Sequence, residues 1–189
     1  MSRVIFMCGP AGSGKSTLAR ALEARGLVRL SFDQTAWDRG FHAMPLPEQV
    51  HREIEAQLRE RLVTVVTGGE DVVLDFSFWS RRMRADYRAL VRPLGVEPVT
   101  IHVATDRATA LQRVAGRATG HGDDFRLPER LAATYFDHFE PPTPDEGPLV
   151  ITAGDDPPAR QLAAIEAVIG PVPGSAGRAR PRVVAPGEP

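Results

Sequence analysis

With 189 residues, 42% of them hydrophobic, the chain suits one domain with a sizeable core. A formal net charge of -1 gives no global attraction to nucleic acid, although local arginine clusters remain possible. The single cysteine, Cys8, excludes an internal disulfide framework and a cysteine-rich zinc site.

The chain opens on Arg3-Val4-Ile5-Phe6-Met7-Cys8, a short apolar run expected of a buried parallel strand. Because this strand starts at once and no apolar run approaches about 18 residues, neither a signal peptide nor a membrane span is expected. A cytoplasmic protein follows. Cys8, ending the strand, reads as a small buried residue rather than a reactive thiol. Next, Gly9-Pro10-Ala11-Gly12-Ser13-Gly14-Lys15-Ser16-Thr17 fits the phosphate-binding pattern G-x-x-x-x-G-K-[ST] at every fixed position. Leu18, Ala19, Ala21 and Leu22 then recur at helical spacing, so the loop has a strand before it and a helix after it. Its glycines let backbone N–H groups turn towards a phosphate chain, and the helix adds its positive end. Lys15 is placed to reach the terminal phosphates, and Ser16 to hold Mg²⁺ through its hydroxyl. Lys15 is the only lysine of the chain, and asparagine is absent, a bias that GC-rich coding explains. A compact ammonium is nevertheless kept where a planar guanidinium would not substitute.

Leu27 to Phe32 reads as a second strand delivering Asp33 at or just past its carboxyl end, and Gln34 to Pro47 as a loop over the site. Val50, Ile54, Leu58, Leu62 and Val65 share one face of a long helix that Gly68-Gly69 end. Asp71 to Phe76 is a third strand, apolar until Asp75. Ser80 caps a helix with Met83, Tyr87, Leu90 and Val91 inward and Arg81, Arg82, Arg84 and Arg88 as its basic side. Pro98 to Val103 is a fourth strand, in which His102 reads as structural. Thr105 or Asp106 caps the helix carrying Arg113, and Arg117 lies one turn further on the same face. Residues 118–125 have the composition of a flap, and Leu127-Pro128 opens a helix that Pro141-Pro142 breaks. Leu149 to Thr152 is a fifth strand, and Pro158 to about Ile169 the last helix. The expected organisation is one domain over 1–170, with a small lid at about 113–127, and a disordered tail over 171–189.

Five alternations of strand and helix predict an α/β fold: a five-stranded parallel sheet with helices on both faces. Ligands of such sheets sit outside the carboxyl ends of the strands, where Gly9, Asp33 and Asp75 converge. Phosphoryl transfer needs a fixed γ-phosphate, neutralised charge and an aligned nucleophile. Asp33 is the candidate base for a substrate hydroxyl, and Asp75 the candidate Mg²⁺ acid; a capping role is the alternative for each. Arg113 and Arg117 are candidates to close over the phosphates, or else form a solvated helix face.

The arrangement resembles small P-loop kinases of the polynucleotide 5′-kinase, chloramphenicol phosphotransferase and zeta-toxin group, often described as AAA-type ATP-binding proteins. The matching pieces are Gly9 to Thr17, Leu30-Ser31-Phe32-Asp33, Val72-Val73-Leu74-Asp75 with Arg82, and Leu111-Gln112-Arg113 with Arg117. Phe139-Glu140-Pro141-Pro142 and Asp145-Glu146-Gly147 look like a further signature. The resemblance implies strand order 2-3-1-4-5, Asp33 as hydroxyl-activating base, and ATP contacts from Arg113 and Arg117. It implies ATP and Mg²⁺ as cofactors and a small-molecule hydroxyl as acceptor. A nucleic-acid 5′-hydroxyl kinase and a regulatory ATPase without acceptor are the alternatives. The chain is too short for an AAA+ motor, and without asparagine it cannot carry the guanine-binding Asn-Lys-x-Asp.

Overall fold

Val4–Cys8 forms β1, and all five of its residues are buried. Strands β2 (Val28–Ser31), β3 (Val72–Asp75), β4 (Val99–Ala104) and β5 (Leu149–Ala153) join it in one parallel sheet of order 2-3-1-4-5. The helices are α1 (Lys15–Glu23), α2 (Phe32–Asp38), α3 (Glu48–Thr67), α4 (Arg81–Val91), α5 (Arg107–Ala115), α6 (Glu129–Asp137) and α7 (Pro158–Ile169). This computed structural model describes residues 2–116 and 127–172. Arg117, most of the expected lid and tail residues 173–189 lie outside the described residues.

Side chains alternate across a strand, and here that alternation divides the core into two layers. Val4, Phe6 and Cys8 of β1 join Val72 and Leu74 of β3 beneath α3 and α4, against Ile54, Leu58, Leu62, Tyr87 and Val91. Ile5, Met7 and Val73 face the other way, onto Leu18 and Leu22 of α1 and Leu162 and Ile165 of α7. A sheet covered on both faces explains why its central strands read as unbroken apolar runs. Each large aliphatic side chain so buried contributes roughly 1.5–3 kcal/mol. No helix among the described residues is long and apolar enough to cross a membrane.

Two expectations change. Gln34 to Pro47 is not all loop, because α2 begins directly after β2: the Ser31 hydroxyl accepts from Gln34 N–H at 3.2 Å and stops the strand by capping the helix. Asp33 therefore stands just past the strand end, as expected, but in the first turn of α2 and half-buried. The basic side of α4 is solvated only in part, at Arg81 and Arg82. Arg84 is 0% and Arg88 3% exposed. Acids from a distant segment reach both guanidiniums, which helical spacing alone cannot show.

Candidate active site

The loop joining β1 to α1 is held open by glycines at positive φ. Gly12 (φ 82°) lies so close to α5 that an added Cβ would stand 2.2 Å from the Ala110 carbonyl oxygen. Gly14 (φ 97°) is the N-cap of α1 and offers no side chain to the first turn. That first turn also holds no acidic residue, so its N–H groups and the positive helix end remain available to an anion. Lys15 and Ser16 are the first two residues of this helix, both half-buried. The loop is braced from the neighbouring turns: Gly9 N–H donates to Ser77 O at 3.0 Å, and the Thr105 hydroxyl to Ser13 O at 3.2 Å. Ser13 Oγ is buried without a hydrogen-bond partner among the described residues.

Ser16 Oγ donates to Asp75 Oδ1 at 3.0 Å. The other carboxylate oxygen accepts from Nε and Nη2 of Arg29 at 3.0 and 2.6 Å. The Arg29 and Asp75 side chains are 7% and 1% exposed, a nearly dry ion pair at the foot of the loop helix. Arg29 has no counterpart in the motif reading; its only sequence signal is a cation inside an otherwise apolar strand. Asp33 and Asp75 leave the same end of adjacent strands, since Ser31 is in register with Asp75.

On the β4–β5 side, Arg113 Nη1 donates to the carbonyls of Gly154 at 3.1 Å and Gly12 at 3.4 Å. It thus bridges the loop to the turn after β5. Beside it opens a cleft of about 510 Å³ lined by Gly12, Thr17, Leu18, Arg113, Gly154, Asp156 and Gln161. Gln161 has its amide committed inward, its Nε2 donating to Asp156 O at 2.7 Å. The sheet order puts this cleft on one side of β1 and Asp33 on the other.

Two titratable groups nearby are structural. Burial raises the Cys8 thiol to about 12 despite the opposing charge of Arg84. His102, on β4 beside the Phe139 ring, is held below its ordinary pKa by burial and then by Arg84.

Ser16 and Asp75 supply hard oxygen donors, which suit Mg²⁺. Among the described residues no group of three or more acidic, histidine or cysteine side chains could cage a metal by itself.

The family AAA_33, described as an AAA domain, matches residues 4–142. No curated protein matches the chain by sequence. A solved sugar kinase from Janibacter sp. HTCC2649 is similar at TM-score 0.66 and 21% identity, covering 89% of this chain and 95% of its own. A gluconokinase from Sinorhizobium meliloti 1021 gives 0.63 and 23%, over 88% and 91%. Chaetomium thermophilum Kti12, solved with ADP-AlF3, gives 0.65 and 20%, over 90% and 100%. At these identities the likeness is one of fold: a P-loop, kinase-like sheet.

Proposed function

Because the chain belongs to the AAA domain family AAA_33 and has a P-loop kinase-like fold, we propose that it is an ATP-dependent phosphotransferase acting on a hydroxyl of a small molecule. The observation that carries the reading is the Ser16–Asp75 hydrogen bond at the base of an uncapped, glycine-opened loop helix. Backbone N–H groups over Gly9–Thr17 and the Lys15 ammonium hold the β- and γ-phosphates. The Ser16 hydroxyl, donating its hydrogen bond to Asp75, keeps a lone pair for Mg²⁺, which when bound would neutralise developing charge on the phosphates. The cleft beside Arg113 takes the nucleoside end, and the acceptor approaches from the Asp33 side. Asp33 accepts the hydroxyl proton as the acceptor oxygen bonds to the γ-phosphorus; the bond to the β–γ bridging oxygen breaks, and ADP leaves. Arg113 and Arg117 close over the phosphates as part of a lid at about 113–127, the rest of 1–170 being its platform.

Sugar kinase and gluconokinase relatives of this fold support a small polyhydroxyl acceptor over a nucleic-acid end. The test is a screen of sugars, sugar acids, nucleosides and hydroxyl-bearing antibiotics for ADP release, with a mass readout for one added phosphate. Phosphate transfer to one such compound supports the reading. Hydrolysis that no acceptor stimulates would identify a regulatory ATPase instead, and salt-sensitive labelling of oligonucleotide 5′ ends a nucleic-acid kinase.

A further inference from the structure

Arg29 lies in β2 and pairs in register with Val73. In a parallel sheet that puts it on the face of Val73, the face covered by α1 with Leu18, Ala19 and Leu22. A strand position under an apolar helix ordinarily carries an apolar side chain. Here a guanidinium fills it, and its Nε and Nη2 converge on one oxygen, Asp75 Oδ2. The other oxygen is thereby left to Ser16.

A dry ion pair of this kind is a poor way to add stability, because desolvation of two charges offsets their attraction and apolar residues of similar volume do as well. What the pair supplies is orientation. A carboxylate held through one oxygen by a planar fork cannot rotate, so its second oxygen keeps its aim. The guanidinium also occupies Oδ2, which disfavours bidentate binding of a cation by Asp75 and leaves Oδ1 as its working oxygen.

We infer that Arg29 is a positioning residue of the phosphate site, fixing Asp75 so that Oδ1 accepts the Ser16 hydrogen bond and Ser16 presents its lone pair to a divalent cation. The inference rests on the reading of this loop as a metal–nucleotide site.

The test is a double-mutant cycle on the full chain with Mn²⁺ as probe, its binding followed by electron paramagnetic resonance in the presence of a non-hydrolysable ATP analogue. Metal-free analogue binding and thermal unfolding are measured alongside. Arg29→Met and Asp75→Asn are each expected to weaken Mn²⁺ about 10–100-fold, the usual effect of losing an outer-shell partner. Analogue affinity without metal should stay within roughly threefold, since the phosphate cradle is untouched. The double variant should bind Mn²⁺ no worse than Asp75→Asn alone, because Arg29 acts through Asp75. If Arg29→Met does not fold, Arg29→Lys, which keeps the charge and loses the fork, takes its place with the same expected non-additivity. Wild-type or tighter Mn²⁺ binding in the Arg29 variant, or losses that multiply in the double variant, would overturn the inference while leaving the site reading intact. Absence of Mn²⁺–nucleotide binding in the wild-type protein would overturn both.

Discussion

Arg84 and Glu146, 62 positions apart in sequence, meet through two parallel hydrogen bonds of 2.7 and 2.8 Å. Their side chains are 0% and 6% exposed. Arg84 also donates to the carbonyls of Phe78 and Glu140, both at 2.9 Å, so one guanidinium joins the segment after α6 to the segment after β3. Trp79 O accepts from Glu140 N–H at 2.8 Å and Ser77 O from Gly9 N–H, which carries the brace to the edge of the phosphate loop. Through Glu146 and the Glu140 main chain, the segment 139–147 is thus a clasp for the walls of the site.

Removing one partner of that clasp leaves a buried charge uncompensated. Glu146→Ala is expected to cost on the order of 3–5 kcal/mol, and Glu146→Gln less, read by chemical denaturation. Burial pushes the Glu146 carboxyl up, but the Arg84 bonds and the Thr143 N–H outweigh it and hold its pKa below the ordinary 4.5. A depressed folded pKa means that the unfolded chain binds the proton more readily. The contribution is therefore full above about pH 4.5 and fades as pH falls through the lower folded value. Acid unfolding of Glu146→Gln should show a shallower loss over that range than the wild type; identical acid limbs would refute the clasp.

Cys8 gives an inexpensive check of the core. Its thiol is buried, 3.4 Å from the Phe78 carbonyl oxygen it can donate to, with a pKa of about 12. Only the thiolate is nucleophilic, and at neutral pH that leaves about one part in 10⁵. A disulfide reagent should titrate no thiol in the native protein and one after denaturation. Rapid native labelling would show that β1 does not end against Phe78.

Gly12 tests the loop by shape. Alanine there meets both a backbone oxygen at 2.2 Å and a φ of 82°. Neither can relax without moving α5, because the obstacle is main chain. Gly12→Ala is expected to lose nucleotide binding by at least about tenfold and stability by roughly 1–3 kcal/mol. Gly69→Ala, also at positive φ but with open space around it, is the control and should leave nucleotide binding unchanged.

The five strands and the phosphate loop were legible because both rest on local signals, whereas the strand order followed only from the resemblance to small P-loop kinases. Apolar runs five times over announce strands, and the loop pattern carries its geometry in glycine spacing. The Ser31 cap was not, since Phe32 continues the apolar run and hides the change from strand to helix. The pairing of Arg84 with Glu146 and of Arg29 with Asp75 was hidden for a different reason. Each joins residues that only the folded sheet brings together, and an arginine on a helix face looks the same in sequence whether it meets water or a buried acid.

Asp33 and Lys15 separate binding from transfer. Lys15 heads α1 and is proposed to meet phosphate in substrate and transition state alike, so Lys15→Ala should abolish transfer and weaken nucleotide binding. Asp33, in the first turn of α2 on the far side of β3 from the loop strand, is proposed to meet the acceptor hydroxyl and not the nucleotide. Asp33→Asn keeps the shape and removes the basicity. Once an acceptor is in hand, it should lower turnover roughly 10²–10⁴-fold while ATP affinity stays nearly unchanged. Asparagine can also stand in the first turn of a helix, so a purely capping role for Asp33 predicts near wild-type turnover in that variant. A measured kcat within about threefold of the wild type would assign Asp33 to the helix end and send the search for the base elsewhere.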